Sequence, residues 1–313
     1  MKALGNKDIY GNWATLLLTT DPDGSIDFLR LSDEIDVLLA SNPNGIYSNG
    51  TAGEFYAQTE DEFDKVSMLL SEKCEQAGIP YQFGVSHMSP QISLERLKRI
   101  RDLKPGAVQL ILPDWFPPTL EESVIFLERM QEEADGTGLV LYNPPHAKKK
   151  IHPDEWSYLK DKVPGLVGMK VFDNNRDPQW YKMMKPVFST LSVFIPGHHL
   201  VTGIKQGAQG SYSNVACLNP FAAQRWYELS LREMDAALEL EGRIQNFMKL
   251  AIEPFITKHH YANHACDRFM AMVGGWVDVG SKLRWPYRSI PEEAVGEVRK
   301  VVRRLIPEFL EIS

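Results

Sequence analysis

Lys170 ends a segment, Leu166-Val167-Gly168-Met169-Lys170, that is otherwise apolar. An ammonium there is poorly solvated, and loss of solvation lowers a lysine pKa from its reference of roughly 10.4. A lysine uncharged near neutral pH can attack a carbonyl carbon and form an imine. The segment also fits a plainer reading, a strand-end lysine reaching water or pairing with Asp173. Tyr142 ends a second apolar segment, Leu141-Tyr142-Asn143-Pro144-Pro145. A phenol beside the lysine can carry the protons of carbinolamine formation and breakdown, or an aromatic ring can simply plug the space. In a third stretch, Ser48-Asn49-Gly50-Thr51-Ala52-Gly53-Glu54, two glycines bracket a hydroxyl residue. They permit a tight loop whose backbone amides suit a carboxylate, or an ordinary strand-to-helix connection.

The elements that must bring these residues together are short apolar runs, each followed by helical periodicity. Eight strand candidates lie at 14–20, 45–48, 81–85, 107–112, 139–142, 166–170, 192–195 and 210–213. Thr59 with Glu62 has the form of a capping box opening a helix. Eight strand–helix units without an early glycine-rich dinucleotide turn predict a (β/α)8 TIM barrel of the α/β class. In such a barrel the strand ends form the catalytic rim, and strands five and six are neighbours there. After Asn219 the pattern is helical: 221–248, 253–272 and 292–309, with a turn-rich stretch at 274–291. The expected organisation is a barrel over 1–220 and a C-terminal helical extension over 221–313.

Composition narrows the partners. In 313 residues, 43% hydrophobic and 24% charged, the formal net charge is −7. That balance suits a globular protein and gives no basic face for nucleic acid or an anionic membrane. The run Lys148-Lys149-Lys150 reads as solvated loop. Cys74, Cys217 and Cys266 are odd in number and widely spaced, which fits a reducing compartment. Residues 1–12 lack the pattern of a signal peptide and no apolar run is long enough to span a membrane, so the expected location is cytoplasmic. His259, His260 and His264 have a spacing that could hold a metal on one helix face, but no catalytic acid accompanies them and no metal is expected.

Taken together, the three sites resemble the dihydrodipicolinate synthase and N-acetylneuraminate lyase superfamily of Schiff-base lyases. The resemblance spans roughly residues 11–291 and includes the 19–27 turn, the 50–54 loop, the stretch from Pro113, and 142–145, 168–170 and 207–210. It implies that Lys170 forms an imine with a 2-oxo acid, that Tyr142 is the general acid and base, and that the Thr51 hydroxyl bonds this tyrosine. It also implies that the Gly50 loop, through the amides of Thr51 and Ala52, holds the substrate carboxylate. No cofactor is expected beyond the covalent imine on Lys170, and a homotetramer built as a dimer of dimers is. Tyr212 is placed with the substrate-binding residues.

Several positions depart from the family pattern. Ala147 stands where the synthase carries an arginine that grips a second carboxylate, which argues against dihydrodipicolinate synthesis. Trp115 matches a family tyrosine contributed across a subunit interface, and its indole offers only a donor. Ala52 replaces a second hydroxyl. His198 and His199 stand where sialic-acid lyases carry acidic residues, and with Asn214 and Lys148 they are candidates for an outer pocket.

The expected function is therefore a Schiff-base aldolase or dehydratase acting on a pyruvate-type 2-oxo acid, with a 2-oxo-3-deoxy sugar acid or 4-hydroxy-2-oxo acid as the preferred class. Two alternatives stand beside it, a non-catalytic 2-oxo acid-binding barrel and a metal-dependent barrel lyase or hydrolase.

Overall fold

The computed structural model describes residues 1–311. Eight parallel strands close on themselves in sequence order: β1 (Gly11–Thr15), β2 (Gly45–Ser48), β3 (Tyr81–Gly84), β4 (Ala107–Leu110), β5 (Gly138–Asn143), β6 (Leu166–Val171), β7 (Ser192–Phe194) and β8 (Gly210–Ser213). Closure comes from β1 against β8, in register from Gly11↔Gly210 to Ala14↔Ser213. The strands are short and almost wholly buried, as parallel strands covered by helices on the outside must be. Inside the barrel, Ile9, Trp13, Tyr47, Ala107, Val140, Phe194 and Tyr212 form a separate packed cluster. Trp13 meets Tyr212 and Phe194 edge-on, with ring centres 6.0 and 6.5 Å apart. The interior is thus filled below the rim, and only its upper end is free to hold a ligand. The capping box of Thr59 and Glu62 opens the helix Glu60–Ala77 as expected.

Two expectations shift. The first strand lies at Gly11–Thr15, so only the beginning of the predicted 14–20 run is in the sheet. Its continuation is equally apolar but turns into the loop, where the Leu17 amide donates to Glu34 at 2.8 Å and Thr20 bridges antiparallel to Ile26. The C-terminal helices are also more broken than their periodicity suggests. The 221–248 run divides at Glu233 (φ −138°, ψ 71°) into Pro220–Arg232 and Met234–Phe247. The 253–272 run divides into Glu253–Thr257 and Asn263–Gly274, with His260 at φ 57° between them. His259, His260 and His264 therefore share no helix face.

The helix Asn263–Gly274 crosses over the open end of the barrel and is bound there by a buried ion pair. Arg268, 2% exposed, meets the fully buried Glu54 at 2.7 Å. Its terminal nitrogens also donate to the carbonyls of Leu18 and Val279, the latter at 2.6 Å. The second Glu54 oxygen accepts the Arg284 amide at 2.9 Å. At the far end of the helix, Gly274 lies so close to the barrel that a Cβ there would sit 1.7 Å from the Leu218 carbonyl oxygen. No helix among the described residues is long and apolar enough to cross a membrane.

A buried pair that loses one partner leaves an uncompensated charge, at a cost of about 3–5 kcal/mol. Glu54→Gln is expected to lose about that much stability in urea unfolding, whereas Glu132→Gln, which breaks the exposed pair with Arg129, should change it by less than about 1 kcal/mol. Equal effects would show that the Glu54 pair does not hold the helix to the barrel.

Candidate active site

β5 and β6 set Tyr142 and Lys170 side by side in register. The lysine Nζ lies 4.4 Å from the centre of the Tyr142 ring, 5.5 Å from that of Tyr212 and 5.7 Å from that of Tyr47. The hydroxyls of the last two rings are committed below, Tyr212 to Gln82 at 2.6 Å and Tyr47 to Gln109. The amine therefore stands in a box of three rings. Burial pulls its pKa down to about 8, against the charge of Asp267, which favours the ammonium. Burial and then the Asp267 charge push the Tyr142 phenol up to about 12, while a hydrogen bond from Thr51 works the other way.

The loop after β2 is held in an uncommon backbone shape. Asn49 and Glu54 both adopt left-handed conformations, φ 54° and 50°. Asn49 is fixed by its bond to Ser67 at 3.0 Å, and Gln58 ties Asn49 to the Gly53 carbonyl. Gly50 is required by contact, since a Cβ there would lie 2.2 Å from the Tyr47 hydroxyl. Between these anchors the backbone N–H groups of Thr51 and Ala52 have no acceptor among the described residues. Two free amides beside a buried amine form an anion-binding concavity.

These groups open into a cavity of about 630 Å³. Lys170, Tyr142, Thr51, Ala52, Tyr212, His198 and Asn214 all line it. His198 is held by Asn214, whose side chain lies 3.1 Å from its Nδ1 and accepts its backbone N–H at 3.2 Å. Burial and the neighbouring His199 lower the His198 pKa to about 3, so the ring stays neutral.

Two of the residues anticipated for substrate contact, His199 and Trp115, do not line the cavity. His199 is 5% exposed and turned away from the cavity, its Nδ1 2.8 Å from Asp173, which also accepts the Tyr181 hydroxyl at 2.7 Å. It supports the loop after β6 instead. Trp115 is 76% exposed on the outer surface, under the ammonium of Lys148, which donates to its carbonyl at 3.1 Å. Neither lines the cavity of this chain. Tyr212 lines it, but with its hydroxyl engaged by Gln82 it acts as a wall behind Lys170.

The carboxyl group that lines the cavity was not anticipated. Asp267 reaches the cavity from the covering helix Asn263–Gly274. Burial pushes its carboxyl up to about 7, with Lys170 acting in the opposite sense. A trace of it existed in the sequence: Asn263, Asp267 and Met270 recur at helical spacing, which puts the acid on one helix face with an amide and a methionine.

With this geometry the comparisons with known proteins are informative. The model of the dihydrodipicolinate synthetase family matches residues 9–305. The chain belongs to that family. Membership makes it an enzyme of the carbon–carbon or carbon–oxygen lyase type. Among its relatives, the 4-hydroxy-tetrahydrodipicolinate synthase of Staphylococcus carnosus is 26% identical over 248 residues, 77% of this chain and 83% of the relative. The trans-O-hydroxybenzylidenepyruvate hydratase-aldolase of Pseudomonas aeruginosa is 25% identical over 172 residues, about half of each chain (52% and 51%). The fold matches the N-acetylneuraminate lyase of Proteus mirabilis with a TM-score of 0.81 at 17% identity, covering 95% of this chain and 99% of that one. A sialic acid aldolase of Ruminococcus gnavus gives 0.82 at 18% identity, covering 99% and 100%.

The ring box has a measurable consequence. Labelling of Lys170 by a small amine-reactive reagent, followed by peptide mass mapping, should be half-maximal near pH 8, while solvated surface lysines follow the reference of roughly 10.4. A Lys170 midpoint at the surface value would mean that the amine is hydrated.

Proposed function

We propose that Lys170 condenses with the ketone of a pyruvate-type 2-oxo acid, and that the resulting imine carries an aldol cleavage or condensation. One observation supports this most strongly: a desolvated amine, a phenol against it and two free loop amides face one enclosed space. The substrate carboxylate docks on the amides of Thr51 and Ala52. Lys170 attacks C2, and Tyr142 passes protons to and from the oxygen that leaves as water. The protonated imine then accepts the electron pair released when a bond at C3 breaks. It is the electron sink of the scheme.

The cavity walls speak for the rest of the substrate. Phe55, Phe172, Met248, Ile252, Ile256 and Met270 give the cavity a largely apolar wall. Such a wall suits an aromatic or branched apolar tail better than the 2-oxo-3-deoxy sugar acid preferred from the sequence, which needs many polar partners. Two polar atoms on this wall are open: neither the Tyr56 hydroxyl nor Nε2 of the 4%-exposed His264 has a hydrogen-bond partner. A hydroxyl on the tail would satisfy both. The Pseudomonas aeruginosa relative, a trans-O-hydroxybenzylidenepyruvate hydratase-aldolase, is named for a substrate that joins a pyruvate to an aryl group, which supports the same choice. Ala147, which offers no charge for a second carboxylate, argues against dihydrodipicolinate synthesis. On the outer surface Trp115 and Phe116, 76% and 84% exposed, offer a neighbouring copy an apolar ledge, in keeping with the homotetramer that the family resemblance implies.

Incubation with pyruvate and borohydride should leave a reduced pyruvate adduct on the peptide containing Lys170, absent in Lys170→Ala and undiminished by a chelator. Adducts on surface lysines alone would refute the assignment, and loss of activity in chelator would favour a metal-dependent lyase. Tyr142→Phe should slow turnover by about 10²-fold or more with the fold intact, the usual scale for a lost proton-transfer group. Turnover equal to that of the unaltered chain would mean another group moves these protons.

A further inference from the structure

Asp267 is the group on the cavity wall that imine formation leaves unused. It is half-buried, accepts no hydrogen bond and makes no ion pair among the described residues. Its oxygens lie more than 4.0 Å from the Lys170 amine, and the two groups line the same cavity. Leaving a carboxylate unpaired in an apolar cavity is costly. The neighbouring arginine does not relieve it, since the two terminal nitrogens of Arg268 are turned to Glu54 and to the Leu18 and Val279 carbonyls. That bonding also fixes the helix, so the Asp267 backbone cannot withdraw from the site. Tyr142 is already engaged, its ring against the Lys170 nitrogen and its hydroxyl bonded to Thr51. A substrate with its carboxylate on the loop amides and C2 on Lys170 has its C4 within the cavity that Asp267 also lines.

We propose that Asp267 is a catalytic residue for the carbon–carbon step and handles the proton of the C4 hydroxyl. This rests on the imine reading above. In the cleavage direction the carboxylate takes the O4 proton. The C3–C4 bond breaks, and C4 leaves as an aldehyde. The bonding pair forms a C2–C3 double bond while the C2–N π pair moves onto nitrogen, giving an enamine. A proton then returns to C3, and hydrolysis releases pyruvate and free Lys170. In the synthetic direction the carboxylic acid gives its proton to the aldehyde oxygen as C3 attacks. A carboxyl held near 7 is available in both forms at neutral pH.

The test compares Asp267→Asn with the unaltered protein in three measurements. These are borohydride trapping of pyruvate on Lys170, exchange of the pyruvate C3 hydrogens in D2O, and cleavage of 4-hydroxy-2-oxo acids bearing phenyl, methyl or trihydroxypropyl groups at C4. Trapping and exchange need the imine and enamine but no C4 hydroxyl, so they should stay within a few-fold of the unaltered protein. Cleavage kcat should fall by about 10²-fold or more. Retained trapping also shows that the variant is folded, and Asp267→Ser serves if the amide disturbs packing. The inference is overturned if cleavage is unchanged, if exchange falls as far as cleavage, or if the unaltered protein traps pyruvate yet cleaves none of the three. An unaltered protein that traps no pyruvate removes the imine reading, and this inference with it.

Discussion

An amine is a nucleophile only when it has lost its proton, and at neutral pH it loses that proton only when water cannot solvate the cation. The upper half of this barrel is arranged around that constraint. Trp13, Phe194 and Tyr212 fill the space below Lys170, Tyr142 and Tyr47 stand beside it, and the helix Asn263–Gly274 covers it from above. The barrel alone would leave the rim open to water. The buried contact of Arg268 with Glu54 connects two requirements, because Glu54 belongs to the loop that presents the Thr51 and Ala52 amides and Arg268 to the covering helix. The loop and the cover are positioned by the same interaction.

Rigidity around the site comes from conformations that would be unfavourable alone. Asn49 and Glu54 in the left-handed region are each retained by side-chain bonds to their surroundings. After β6, Asn174, Asn175 and Arg176 are all left-handed in succession. Asp173, buried at the start of that turn, holds Tyr181 and His199. Burial alone would raise its carboxyl, but the bond and charge of His199 more than offset this and hold it below the usual carboxylate range. The turn immediately follows the strand that carries Lys170, so this second polar cluster stiffens the strand end from outside.

Much of this was legible in the amino-acid order. Parallel strands buried on both faces leave unbroken apolar runs, and Lys170, Tyr142 and the Gly50–Ala52 loop stand out because each interrupts such a run with a group capable of chemistry. What was not legible depends on facing. Leu16 to Leu18 are as apolar as β1 itself, and only the closing pairing with β8 separates strand from loop. His198 and His199 are adjacent in the chain, yet one faces the cavity and the other Asp173, a difference of helical phase that spacing does not reveal. Tyr212 is at the rim as anticipated, but the bond that removes its hydroxyl from use comes from Gln82, 130 residues away. Asp267 was obscured because its significance depends on where a helix from the C-terminal extension comes to rest.

The cavity draws its two ends from separate stretches of chain. The amine, the phenol and the loop amides come from strands and loops of the barrel, while Met248, Ile252, Asp267 and Met270 come from beyond residue 247. Substitution of the apolar residues of the later stretch, Met248, Ile252 and Met270, can therefore reshape one end of the cavity while leaving the residues around Lys170 in place. Such a division of labour separates the shape of the chamber from the chemistry of its floor.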